Sequence, residues 1–386
     1  MSDPRIDAAG VESILADLVR IRSANPPGDE VHVVAHLGAL LDRAGISWTT
    51  DELAPSRPNL HVHLGPRDAP ALVLNGHSDT MPAGAGWSSD PWQPVVRDGV
   101  MTGLGACDMK AGLAAMLGVA LALTRAGTPV PRGLRLDIVV DEEATGDGSR
   151  HAVARQPLPG AVVVVEPSRL QVAAVGNGQI NVAYTVRGLA AHGSTPELGR
   201  NAVAGASRAI VALEDWAATR PAAAHPLIGA ESLSIGTITG GMTTSVVPDR
   251  CRFSVDLRVV PGRDPGTAAA EVDAVVAATL AGVPGIAWTR ETEIRVPPFQ
   301  TGADDALCQA LADAHRSVTG TAPSMAGMRA TTDAAWYAEQ GIPTVVYGPG
   351  DLARAHRPDE SVPLAEVVTA SRVLLELARS VAGGGH

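Results

Sequence analysis

Two histidines and five acids stand where apolar runs of this sequence end. ALVLNG runs into His77 and, two residues on, Asp79; LRLDIVV runs into Asp141, Glu142 and Glu143; AVVVV meets Glu166; TVVYGPGD leads to His356. Asp108 follows the loop GLGAC and is expected to open a helix. Imidazole nitrogens and carboxylate oxygens suit zinc or a similar divalent ion, and a carboxylate can also bridge two of them. Paired carboxylates repel one another unless cations lie between them. Any one of these residues alone would pass as a surface acid or a satisfied loop histidine, whereas their shared placement at strand ends and a helix start argues for one site. Adjacent residues cannot aim at the same spot, so the two glutamates of DEEATG are expected to divide the work. Glu143 goes to metal and Glu142 to proton transfer. In that scheme Glu142 takes the proton of a water activated by the cations, and the water attacks a carbonyl polarised by one of them. Glu142 then hands the proton to the leaving amine. Asp79 is placed to orient the His77 imidazole through its other ring nitrogen, with a helix N-cap as its competing use.

Open α/β sheets carry their functional groups just beyond the carboxyl ends of strands, so the next question is what holds these residues. Apolar periodicity predicts helices near Val11–Ile21 and Val31–Ala44, separated by SANPPGDE. Strands are predicted at Asn59–Leu64, Ala71–Asn75, Gly133–Val140 and Ala161–Val165, the last two nearly all apolar, as strands covered on both faces should be. A helix is expected over Met109–Arg125 and another after Gly148. This alternation predicts a layered α/β domain with a largely parallel sheet and helices on both faces. From Gly178 the style changes to strand, helix, two strands, helix and strand (Ile180–Arg187, Asn201–Ala217, Leu233–Thr239, Cys251–Val260, Gly266–Ala281, Ile286–Arg295), a self-contained α+β unit. After PPFQTG a helix (Ala303–Val318), a strand (Thr344–Gly348) and a final helix (Leu364–Val381) resume the first style. The expected organisation is one discontinuous catalytic domain, 1–177 and 296–386, interrupted by an inserted domain at 178–295.

At 386 residues the chain can bury a sizeable core. Its 30 Lys+Arg against 41 Asp+Glu argue against nucleic acid or an anionic membrane as partner, both of which attract basic surfaces. Small molecules and peptides remain. The N-terminus lacks a signal-like pattern and no segment reads as a membrane span, so a cytoplasmic location is expected. Cys107, Cys251 and Cys308 are widely spaced and suggest neither disulfides nor a thiolate zinc site. A dinucleotide-binding reading of Gly103–Gly105 fails, because Asp108 stands where GxGxxG requires its third glycine.

The segments RIRSANPPGDE, GHSDTMP, WSSDPWQPVVRDGVMTGLGACDMKAG, DEEATG, the EPS of Glu166, RGLAAHGSTPELGRNAV, VVPDRC with DLRVVPG, and GPGDLARAHRPDE occur in this order along almost the whole chain. Together they resemble the di-zinc aminoacylases and carboxypeptidases, in the acetylornithine deacetylase and succinyl-diaminopimelate desuccinylase branch. The resemblance implies two zinc ions per subunit, with cobalt or manganese as possible substitutes. It implies a bridging Asp108, one zinc completed by His77 and Glu166, the other by Glu143 and His356, and Glu142 as general base. It further implies a cis peptide at Asp108–Met109 and a homodimer formed through the inserted lid domain. His192 would reach the neighbouring subunit's site to stabilise the oxyanion. Arg258 would bind a substrate carboxylate through its guanidinium fork, a structural salt bridge being its other reading. Ser245 stands where the family commonly has asparagine, and Leu104 where it commonly has arginine; the first departure bears on substrate identity more than on hydrolysis. Thr331, Thr332 and Asp333 are expected to line the cleft, although Thr332–Asp333 equally suits a helix cap. The implied reaction is hydrolysis of the amide of an N-acyl amino acid, with carboxypeptidase or dipeptidase action as the alternative. A non-catalytic metal-binding relative is disfavoured because the base and all five ligands are present.

Overall fold

A computed structural model describes residues 5–383. They form two compact units: one comprises the chain up to Val175, Phe299–Met328 and the chain from Thr332 onward, the other Gly176–Pro298 with Arg329–Thr331. Thr331 therefore sits in the inserted unit, whereas the sequence boundaries put it in the catalytic one. The reason is local: Asn177 Nδ2 donates to the Arg329 carbonyl at 3.1 Å, and the Thr331 hydroxyl to Gln179 Oε1 at 3.1 Å.

The first unit is built on a nine-stranded sheet. Its centre, Leu134–Val139, Leu72–His77, Val162–Val164 and Thr344–Val346, is parallel. Arg57–Leu64 and Trp48–Ala54 extend it antiparallel on one side, and Val172–Gly176 on the other. Alternate residues of a strand point to opposite faces, and the central strands feed two separate cores. Leu72, Leu74, Val163, Val165, Val345 and Tyr347 pack with the helices Ala8–Arg20, Ala111–Ala126, Ala306–Thr319 and Leu364–Val381, while Val73, Val162, Val164 and Val346 pack with Ala334 and Tyr337 of the short helix Ala334–Ala338. Helices thus cover both faces. Gly112 lets one helix come down onto the sheet, since a Cβ there would lie 2.1 Å from the Val165 carbonyl oxygen.

The segment Ala106–Ala126 is long and apolar enough to cross a membrane, in contrast to the expectation that no stretch would be, but its most apolar window is 94% buried within the protein. It is a core helix. The edge strands Trp48–Ala54 and Met325–Met328 and the interior strand Val172–Gly176 went unpredicted, being short or weakly alternating.

The inserted unit is a four-stranded antiparallel sheet in the order Ser232–Gly240, Arg250–Val259, Gly178–Arg187, Ala287–Val296. Along Arg250–Val259, Cys251, Phe253, Val255, Leu257 and Val259 are buried in strict alternation against the helices Ala202–Thr219 and Pro265–Ala281. Each helix begins at a side-chain cap, Asn201 and Asp264 respectively.

Candidate metal centre

His77 closes the Leu72–His77 strand and Glu166 follows Val162–Val164 by two residues. The Asp141–Glu142–Glu143 turn leaves Leu134–Val139 through a left-handed Asp141, φ +69°. Asp108 does not open the helix. It lies in a single π turn, Ala106–Lys110, where it and Met109 leave helical geometry across a cis peptide bond, and the regular helix begins at Ala111.

These segments bring the donors together. His77 Nε2 lies 3.2 Å from Asp108 Oδ1 and 3.4 Å from Glu166 Oε1. His356 Nε2 lies 2.9 Å from Glu143 Oε2 and 3.4 Å from Asp108 Oδ2. The two oxygens of Asp108 therefore face one histidine each. Glu142 Oε2 is 3.9 Å from His77 Nε2. Donor atoms of His77, Glu142 and Glu166, and of His77, Asp108 and Glu143, lie within 4.8 Å of one another; the closest contacts nonetheless divide them into a His77–Glu166 half and a His356–Glu143 half joined by Asp108.

The electrostatics are those of an anionic cluster short of cations. Burial opposes a charge on His77, but Glu166, Asp108 and Asp79 outweigh it and hold its pKa well above the ordinary histidine value. Hydrogen bonds to Asp108 and Glu143 raise His356 to about 10. Burial and the charge of Asp108 push Glu166 up to about 8, and burial drives Glu142 well above the usual carboxylate range, with Glu166, Asp333 and Glu143 adding to it against His77. Glu143 is raised chiefly by burial, whereas Asp108 is lowered by the two imidazoles despite burial. Several buried carboxylates against two imidazoles, all oxygen and nitrogen donors, fit a pair of divalent cations.

An outer layer fixes these groups. Asp79 Oδ1 accepts from the Glu142 N–H at 3.3 Å and Oδ2 from the Glu143 N–H at 3.2 Å, so it holds the glutamate turn. The His77 Nδ1 contact goes instead to the Asp79 carbonyl at 3.0 Å, with the Asp79 carboxylate at 3.6 Å. Asn25 Nδ2 reaches both Asp79 (2.9 Å) and Asp141 (3.0 Å), and Arg57 ties Asp141 to Glu30 at 2.7 and 2.6 Å. Glu360 accepts three backbone N–H groups, from Gly105 (3.0 Å), Cys107 (2.7 Å) and Asp108 (3.0 Å). The backbone N–H groups of the loop at Gly105, Cys107 and Asp108 are thus taken by the protein's own carboxylate. Asn25, Arg57 and Glu360 were missed as individual residues, although SANPP and HRPDE stood among the motifs. Thr332 Oγ1 caps the Ala334 N–H at 3.3 Å. Asp333 makes no side-chain cap; it is buried, neither of its oxygens has a hydrogen-bond partner among the described residues, and burial raises it to about 7.

The remaining candidates belong to the inserted unit. Arg258 makes a two-point pair with Asp256 at 2.7 and 2.9 Å, the salt-bridge use foreseen for it. His192 is exposed, and its Nδ1 accepts from the Ser194 N–H at 3.1 Å. The Gly193 N–H donates to the Ser245 carbonyl at 2.7 Å, joining the His192 and Ser245 loops, and the Ser245 hydroxyl lies 3.4 Å from that of Thr243.

Comparison with known proteins agrees with this architecture. The chain is 29% identical over 402 residues to an acetylornithine deacetylase of Myxococcus xanthus, covering all of both chains. It is 32% identical over 340 residues to a succinyl-diaminopimelate desuccinylase of Alkalilimnicola ehrlichii, covering 84% of this chain and 87% of the relative. A Bacillus subtilis structure described as a dinuclear metal-binding peptidase superposes with a TM-score of 0.74 at 17% identity, over 97% of this chain and 98% of that one. With residues 73–380 matching its profile, the chain belongs to peptidase family M20/M25/M40.

Proposed function

We propose that this protein hydrolyses the amide bond of an N-acyl amino acid at a pair of zinc ions. The observation that carries the reading is Asp108, whose two carboxylate oxygens lie 3.2 Å from His77 and 3.4 Å from His356. His77, Glu166 and Asp108 would hold one ion; His356, Glu143 and Asp108 the other. Bound divalent cations supply Lewis acidity and lower the pKa of water. Glu142 stands beside the His77 half and is the group left to take a proton from water and deliver it to the leaving nitrogen. Its burial and its raised affinity for protons support that role. Asp79 holds the Glu142–Glu143 turn in place through both backbone N–H groups.

In His192 the Nδ1 is occupied as an acceptor, which leaves the proton on Nε2. An Nε2–H is a donor suited to an oxyanion, and we assign His192 that task in a neighbouring subunit's site. The edge strand Ser232–Gly240 and the helix Ala202–Thr219 expose Ile238 and Val211, 51% and 55% accessible, and we assign them to the homodimer contact. Arg258, Ser245, Thr331 and Thr332 are the proposed substrate-contacting residues, and a cytoplasmic location accords with three buried free cysteines.

The test is metal content and amine release together. The zinc-loaded protein should release free amine from N-acetyl, N-formyl or N-succinyl amino acids faster than from dipeptides, and His356→Ala should lose the second zinc. Preferred dipeptide cleavage would make it a peptidase. Two tightly bound zinc ions in His356→Ala would refute the ligand set.

A further inference from the structure

The first unit contains a cavity of about 110 Å³ beside the His356–Glu143 half of the cluster, whose lining joins the donors Asp108, Glu143 and His356 to the apolar Met81, Trp87 and Leu104. We propose that this cavity takes the acyl part of the substrate, and that the acyl group is short and uncharged. The proposal rests on reading the chain as an amidohydrolase and names the substrate class of that same site.

The side of the scissile bond follows from the base. Glu142 groups with His77 and Glu166 and does not line the cavity. The group that protonates the leaving nitrogen must stand on the amine side, so the amine lies toward His77 and the acyl chain toward His356. The volume sets the size: at roughly 30 Å³ per water-sized group, the cavity admits about three or four non-hydrogen atoms. Formyl to propionyl fits whole, and the four carbons of butyryl fill it.

The wall sets the chemistry. Glu360 also borders the cavity, but its carboxylate is occupied by three backbone N–H groups. Arg357 lies on the exposed rim with Nη1 on the Ala353 carbonyl at 3.2 Å, where solvent screens it. Beyond the donors that would hold zinc at the scissile carbonyl, a terminal carboxylate drawn in among Met81, Trp87 and Leu104 would lose its hydration without a buried cationic side chain in return. Thr80 supplies the polar feature that is free. It is 2% exposed, lines the cavity, and its Oγ1 has no hydrogen-bond partner among the described residues. An orphaned buried hydroxyl is costly to keep, and the scissile carbonyl oxygen, the one oxygen of an acetyl or butyryl group, would satisfy it.

The experiment compares kcat/KM for one amino acid acylated with acetyl, butyryl, hexanoyl and succinyl groups, on zinc-loaded protein. Acetyl or butyryl should exceed succinyl at least tenfold, with hexanoyl falling off. Leu104→Ala should raise hexanoyl relative to acetyl at least fivefold; Met81→Ala, on the same wall, should do likewise if the first variant folds poorly. The near-isosteric Thr80→Val should lower acetyl turnover about five- to tenfold. Succinyl turnover equal to acetyl, or chain-length preference unmoved by both wall variants, overturns the proposal while amide hydrolysis stands. Calorimetric titration with butyrate and succinate gives a readout independent of turnover. Butyrate binding tenfold tighter supports the cavity even if no amide is cleaved, which would sink only the functional reading; tighter succinate overturns the cavity assignment.

Discussion

Glu360→Gln isolates the contribution of a residue that is not among the metal donors yet holds Asp108. The wild-type carboxylate takes the Cys107 and Asp108 N–H groups on Oε1 and the Gly105 N–H on Oε2. Glutamine keeps one acceptor oxygen. With that oxygen at the Oε1 position, its amide N–H would face the Gly105 N–H, and the two surviving bonds would lose their charge. Hydrogen bonds to charged groups contribute about 1.5–3 kcal/mol each, and an orphaned buried donor costs a similar amount. The metal-free protein should therefore lose about 3 kcal/mol, a fall in Tm of roughly 4 °C for a chain of this length. Because the same bonds fix the backbone of the bridging aspartate, zinc affinity should drop by roughly 10–100-fold, as when other groups supporting a ligand are removed. Scanning calorimetry without metal and chelator competition for zinc measure the two effects separately. A variant with wild-type zinc affinity would show that Glu360 does not position Asp108, whatever its effect on Tm.

Glu142→Ala should retain both zinc ions and the fold yet lose most turnover; near-wild-type rates would remove Glu142 from proton transfer. His192→Ala should slow turnover by one or more orders of magnitude with metal content intact, and an unaltered rate would end its oxyanion assignment. The third concerns pH. His61 is wholly buried beside Asp137 at 2.7 Å and Asp51 at 3.3 Å, and although burial opposes its charge these acids raise it to about 9. A folded-state pKa above the unfolded one, near 6.5, gives stability that is full below pH 6.5 and lost as pH rises through 9. The loss should be on the order of 2–3 kcal/mol. Urea denaturation of the metal-free protein at pH 6.5 and 9 measures it, and His61→Gln should flatten the difference; an unchanged slope in that variant would refute the assignment.

The sequence was enough to place His77, Glu142, Glu143 and Glu166 at strand ends, because apolar runs covered on both faces are unmistakable and their termini carry few residues. Donor chemistry needs only residue types, so a divalent-metal site was legible too, and the ordered motifs led to the family. The long elements were readable for the same local reason: Leu364–Val381 has the bounds its periodicity predicts. Asp108 shows where local reading stops. Its place after a glycine loop suggested a helix start, but the backbone leaves helical geometry there. It is held from outside by Glu360, 252 residues away in the chain. Asn25 and Asp141 are 116 residues apart, Arg57 and Asp141 84. An acid in a loop, or an arginine at a strand start, carries no mark of such a partner, because the hydrogen bond exists only once the chain has folded. Thr331 was assigned to the wrong unit for the same reason: its neighbours in sequence did not decide its side, whereas a hydrogen bond to Gln179 did. Residue chemistry and periodicity therefore determined what kind of centre this chain builds and on which strands. Tertiary structure alone decided that each oxygen of Asp108 faces a different histidine, and that a small cavity, bordered by a threonine whose hydroxyl has no partner among the described residues, lies beside one of them.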